Sequence, residues 1–152
     1  MIEFTVLGKP EPAGSKRAFM PKGARHPVIT DDNPKGKDWK NAIRCTAREI
    51  YRGPLLDEAL CVTFRFFRVR PRGHYRTGKN ADKLRSSAPV YPTTKPDVLK
   101  QARCAEDALT GVVWKDDACI VDELIVKRYG EPARMEVKIQ TMQEAIDERC
   151  AP

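Results

Sequence analysis

Histidine is nearly missing from this chain: 152 residues hold two, His26 and His74, both in segments that read as loops. A Ser-His-Asp or Cys-His mechanism would have to rest on one of them, and neither has a motif around it, so nucleophilic side-chain catalysis is disfavoured. Cys45, Cys61, Cys104, Cys119 and Cys150 form no CxxC pair and no array of zinc-ligand spacing, and their number is odd. They read as reduced thiols of a cytosolic fold. Apolar runs extend only a few residues, no stretch could cross a bilayer, and the N-terminus has no basic, apolar, small-residue signal, so the expected location is the cytoplasm. Internal repeats and low-complexity stretches are likewise absent.

Positive charge is in excess, with 28 Lys and Arg against 21 Asp and Glu, a formal net charge of +7. On a soluble domain this favours a polyanionic partner, because each cation set against a phosphate releases condensed counterions. The excess gathers in two Pro- and Gly-containing segments. Lys16, Arg17, Lys22 and Arg25 lie between Pro10 and Asn33, and Arg68, Arg70, Arg72, Arg76, Lys79, Lys83 and Arg85 lie between Arg65 and Lys95. The second segment is long for a compact domain, and long loops are usually functional or disordered.

The length fits one domain with one core. Ile2, Phe4 and Val6 alternate with polar residues as in a half-buried strand ending near Leu7. A short strand is expected around Pro27 to Thr30. Trp39, Ile43, Ala47 and Ile50 recur at helical spacing from Pro34 until Gly53-Pro54. Leu60 to Val69 reads as a strand, with Val62, Phe64 and Phe66 on one face and Thr63 and Arg65 on the other. Asp97 to about Thr110 reads as a helix with a Val98, Ala102, Ala105, Leu109 stripe and Gly111 as its stop. Ile120 to Tyr129 and Arg134 to Gln140 read as strands joined in a hairpin by Gly130-Glu131-Pro132. The expected fold is a single α+β domain, a mixed β-sheet with two main helices in the order β-α-β-α-β-β, spanning 1–142, with 143–152 as a short surface helix or frayed tail.

The acidic residues around the second helix carry the chemistry. Phosphodiester cleavage calls for charge neutralisation at phosphorus and a water made nucleophilic, both of which Mg²⁺ supplies from a few converging carboxylates. Asp97 opens the helix and Asp116-Asp117 follow it. A helix of about 13 residues is ~20 Å long, so a shared ion requires the chain after Val112 to return along it, which the apolar run Val112-Val113-Trp114 permits. The same residues also have plain structural readings, Asp97 as an N-cap and Asp116-Asp117 as an acidic turn.

Lys95-Pro96-Asp97, Asp107-Ala108-Leu109-Thr110, Trp114-Lys115-Asp116-Asp117 and the following Val121-Asp122 resemble, in order and spacing, the RusA family of Holliday-junction resolvases. Gly8-Lys9-Pro10-Glu11-Pro12 after the first strand resembles the family's N-terminus. The resemblance implies a small dimeric endonuclease of the bacterial cytoplasm, often phage- or prophage-encoded. It implies Mg²⁺ as cofactor, with Mn²⁺ able to substitute, and branched DNA as partner, with neither a membrane nor a small-molecule cofactor. It also implies paired symmetric nicks in four-way junctions. Carried over by position, Asp97, Asp117 and Asp116 are the metal ligands, and Arg103 stands where the family has a catalytic lysine. The candidate DNA contacts are Lys16, Arg17, Lys22, Arg25, Arg70, Arg72, Arg76, Lys79 and Lys100, and Tyr75 or Phe19 is a candidate to stack on an unpaired base. One departure matters: Leu99 stands where the family commonly has a second aspartate, and Lys100 replaces an asparagine. Three explanations stay open. Asp116 supplies the missing carboxylate, water replaces it, or the chain is a weak or inactive RusA-like protein that binds branched DNA.

Overall fold

The strand that organises the molecule is the one from the middle of the chain, Leu60–Arg68, whose Leu60, Val62, Phe64 and Phe66 face is buried and which pairs with a strand along each edge. In the computed structural model, which describes residues 1–14, 16–31 and 33–150 (side chains at 16, 17 and 29–31 excepted), that strand lies inside a four-stranded sheet. In chain order the elements are β1 (Ile2–Leu7), β2 (Lys16–Phe19), β3 (Val28–Asp31), α1 (Pro34–Ile50), β4 (Leu60–Arg68), α2 (Val98–Leu109), β5 (Ile120–Tyr129), β6 (Arg134–Thr141) and α3 (Met142–Cys150). The sheet order is β1-β6-β4-β5, with β4 and β5 parallel and the other pairs antiparallel.

This pairing corrects the expected hairpin. β5 and β6 are consecutive and antiparallel in direction, yet β4 sits between them, pairing parallel with β5 and antiparallel with β6 so that its backbone hydrogen-bonding groups are satisfied along both edges. The connection must span two strand spacings, about 9.6 Å, which Gly130 to Ala133 can do. It crosses the end of β4, where the Gly130 amide donates to the Arg68 carbonyl at 3.0 Å and a Cβ on Gly130 would come within 2.7 Å of the Phe67 ring. β2 was also not anticipated: it pairs with β3 in a separate two-stranded ribbon, in a segment whose prolines and glycines obscure a four-residue strand.

One face of the sheet carries Phe4 and Val6, Val62, Phe64 and Phe66, and Met135, Val137 and Ile139, all buried beneath Trp39, Ile43 and Ala47 of α1 and Ala102, Ala105 and Leu109 of α2. Each large side chain withdrawn this way contributes about 1.5–3 kcal/mol. After α2, Gly111 (φ +73°) reverses the chain and donates its amide to the Trp114 carbonyl at 2.8 Å. Val113 and Trp114 are fully buried, and Leu56 brackets them by donating to Val113 O at 2.9 Å and accepting from Lys115 N at 3.0 Å. The residues after Trp114 are thereby fixed at the entry to β5. The segment 143–150 is helical and tied down: Glu148 accepts from Lys138 and Gln140, and Arg149 from α3 pairs with Asp122 at 2.6 Å. Cys45, Cys61, Cys119 and Cys150 are free thiols.

Candidate active site

Asp97 is the N-cap of α2, its Oδ1 accepting from the Leu99 amide at 2.9 Å. The structural reading of this residue therefore holds, and the capping bond also fixes where the carboxylate stands. The loop leading to it is held by cations. Lys127 of β5 donates to the carbonyls of Thr94 and Pro96 at 3.0 Å each, and Arg68 donates to Lys95 O at 2.8 Å and Thr94 Oγ1 at 3.3 Å. The first basic loop docks against the same turn of α2, with Ala13 N donating to Lys100 O at 2.7 Å and Gln101 Nε2 to Pro10 O at 2.9 Å. Together they enclose a cleft of about 730 Å³ in which Asp97 is bordered by Lys9, Lys95, Lys100 and Lys127.

Asp116 and Asp117 lie elsewhere. Asp116 caps the short turn Asp117–Cys119, accepting from Ala118 N at 2.9 Å. Asp117 is exposed and lines a second cleft, of about 410 Å³, with Arg103, Glu106, Asp122 and Glu123. Asp97 is thus grouped with Lys100, and Asp117 with Arg103 and Glu106, six and nine residues further along α2, a rise of roughly 9–14 Å. Among the described residues no group of three or more His, Cys, Asp or Glu side chains could hold a metal. A single chain therefore does not assemble Asp97, Asp116 and Asp117 into one metal pocket. Asp107 is taken up by structure, pairing with Lys40 of α1 at 2.7 Å.

Of the expected DNA contacts, Lys22, Arg25, Arg72, Arg76 and Lys79 are exposed, and Lys100 faces the Asp97 cleft. Arg70 is half-buried and is spent on loop structure, donating to Pro89 O at 2.7 Å and Val90 O at 3.3 Å. The side chains of Lys16 and Arg17 lie outside the described residues.

A group that the motif reading passed over, Glu123, stands beside Asp117. Glu123, although exposed as a residue, has its carboxyl partly withdrawn from water and hydrogen-bonded to Glu106, and these two effects, desolvation first, push it up from 4.5 to about 7. The signal available in sequence was position alone: Glu123 shares the β5 face of Ile125 and Lys127, directed at α2. Between pH 4.5 and 7 the native state keeps a proton that the unfolded chain has released, so this pair lowers stability as pH rises through that window. Glu123→Gln is accordingly expected to raise Tm by about 2–4 °C at pH 8, from roughly 1 kcal/mol after solvent screening, and to change it little at pH 4.5. Thermal melts at the two pH values check this, and equal shifts at both would rule out the shared proton.

The model of the RusA endodeoxyribonucleases matches residues 9–140, most of the chain and all of the elements that build both clefts. The chain belongs to the RusA endodeoxyribonuclease family. A relative, the uncharacterized protein YqaN of Bacillus subtilis (strain 168), is 30% identical over 139 residues, which is 91% of this chain and 95% of that protein. Membership supports, at the level of the family, a Holliday-junction-resolving endonuclease with branched DNA as its partner. Among the described residues, no helix is long and apolar enough to cross a membrane.

Proposed function

We propose that this RusA-family chain works as a two-fold dimer that nicks four-way junctions symmetrically with the aid of Mg²⁺, Mn²⁺ being able to substitute. The observation that carries the reading is the separation of the family carboxylates: Asp97 and Asp117 are both exposed, each in a cation-bordered cleft, toward opposite ends of α2 and β5. β5 is one of the two edge strands of the sheet, and its Val121 and Leu124 are 60% and 52% exposed. An edge strand of ten residues with apolar side chains is a natural self-association surface. An isologous antiparallel contact centred on β5 sets the Asp117 end of each chain against the Asp97 end of its partner. Two such composite sites suit the two-fold symmetry of a four-way junction.

When bound, a divalent ion supplies charge neutralisation at the phosphate and an activated water. The chain's own residues do the rest. Lys9 and Lys100 draw a phosphate toward Asp97, while Lys127 and Arg68 hold the loop that aims it. Arg103 offsets charge beside Asp117 and, as an arginine, acts electrostatically without giving up a proton. A second reading, a RusA-like protein that binds branched DNA with weak or no cleavage, is favoured by Leu99, an exposed leucine where the family commonly has a carboxylate.

Purified protein is incubated with a synthetic four-way junction or linear duplex, in Mg²⁺, Mn²⁺ or EDTA. The expected result is paired nicks in the junction that vanish with chelator. Tight junction binding without cleavage in either metal selects the second reading, and equal binding to branched and linear DNA removes both.

A further inference from the structure

We propose that the far end of β5 carries a pocket for an unpaired nucleobase, formed by Tyr91, Tyr129, Arg70 and Arg128 beside the Asp97 cleft. Its biological substrate, DNA at a branch point, rests on the reading of the chain as a junction nuclease. The pocket itself rests on aromatic geometry. The Arg70 guanidinium lies 4.1 Å from the Tyr129 ring centre, His74 meets the same ring edge-on at 5.6 Å and 88°, and the Arg128 guanidinium lies 4.9 Å from the Tyr91 ring centre. Tyr129 is thus fixed from two sides. Tyr91 is 56% exposed but stands on a segment that is pinned, because Arg70 grips the carbonyls of Pro89 and Val90 and Pro92 is buried. An aromatic ring held in place with surface to spare is a stacking platform.

The chemistry of the cleft, about 330 Å³ and at the small end of ligand pockets, selects its occupant. Two arginines beside tyrosines favour a flat π-system attached to negative charge, and Arg72 and Arg76 on the same loop extend the positive surface outward. Glu131 also lines the cleft, where a carboxylate repels a phosphate but accepts from an exocyclic amino group. The base therefore enters and its backbone stays outside. The neighbouring site fits the same strand of DNA. Val90 and Tyr91 line this cleft, while Thr93 to Asp97 line the next one, and Lys127 and Tyr129 are two residues apart on β5, roughly 7 Å. A branch point is where a base leaves its stack at least cost.

The test compares binding of a duplex with a single bulged dA, the same duplex with an abasic residue at the bulge, and the fully paired duplex. The parent protein is expected to bind the dA bulge about tenfold more tightly than the abasic bulge, the scale of one base stacked on one aromatic ring. Tyr91→Ala should erase that difference and leave the paired-duplex affinity within about twofold, which also shows that the variant is folded. Tyr91→Trp should keep the preference. Equal binding of both bulges by the parent protein, or an equal loss on all three DNAs in Tyr91→Ala, overturns the pocket. Because none of these measurements involves nicking, failure to cut a junction would remove the nuclease reading and leave this result standing.

Discussion

Asp97→Asn and Asp117→Asn, each purified alone, should nick a four-way junction about 10²- to 10³-fold more slowly than the parent protein, the scale of losing one charge aimed at a transferring group. Mixing them should restore activity. The argument is geometric: if Asp97 acts together with the Asp117 of the partner subunit, a mixed dimer contains one pocket with both carboxylates intact and one with neither. Random exchange makes half the dimers mixed, so roughly a quarter of the parent number of sites returns, and the product is a junction nicked in one strand. Neither substitution should disturb the fold. Asparagine is as good an N-cap as aspartate, so the bond to the Leu99 amide survives in Asp97→Asn, and Asp117 is exposed at the start of a short turn. Exchange is verified by co-purification of differently tagged chains. If mixed dimers form and remain as inactive as the two single variants, each chain builds its own site and the composite arrangement is wrong.

Much of this architecture can be read from periodicity. β4 displays its two faces in sequence as Val62, Phe64, Phe66 against Thr63, Arg65, and α2 begins and ends at the residues whose chemistry caps it, Asp97 and Gly111. What cannot be read is adjacency. Alternation in β5 and β6 locates two strands without naming their neighbours, and a turn such as Gly130-Glu131-Pro132 suits a hairpin and a link across an intervening strand equally well. The same limit applies to the site. The family resemblance put Asp97, Arg103 and Asp117 in one site, but the helix between them sorts Asp97 with Lys100 and Asp117 with Arg103 and Glu106, into two clefts. Lys127, Arg68 and Glu123 carried no motif at all. Their roles follow from β4 and β5 lying side by side beneath α2, a fact of tertiary pairing that no local pattern contains.

Trp114→Ala is expected to be the most damaging single change to the fold near the site. The side chain is fully buried, its Nε1 donates to Thr110 Oγ1 at 3.0 Å, and its carbonyl accepts the Gly111 amide that closes the reversal after α2. Truncation removes an indole from a packed core, costing about 3–5 kcal/mol. For a chain of this length that corresponds to a Tm lower by roughly 10 °C or more. Trp114→Phe separates the two contributions, because it keeps most of the ring and loses the hydrogen bond, and should cost about 1–2 kcal/mol. Chemical denaturation of the three proteins measures both steps. The consequence reaches the chemistry, because Trp114 is the last buried residue before Lys115, Asp116 and Asp117, and only the reversal it anchors brings those carboxylates back to the start of β5. At a temperature where Trp114→Ala is still folded, its junction nicking should therefore fall further than that of Trp114→Phe, while the affinity of the distant Tyr91 cleft for a bulged base stays near the parent value. Equal nicking by the two folded variants would show that the doublet keeps its position without the indole.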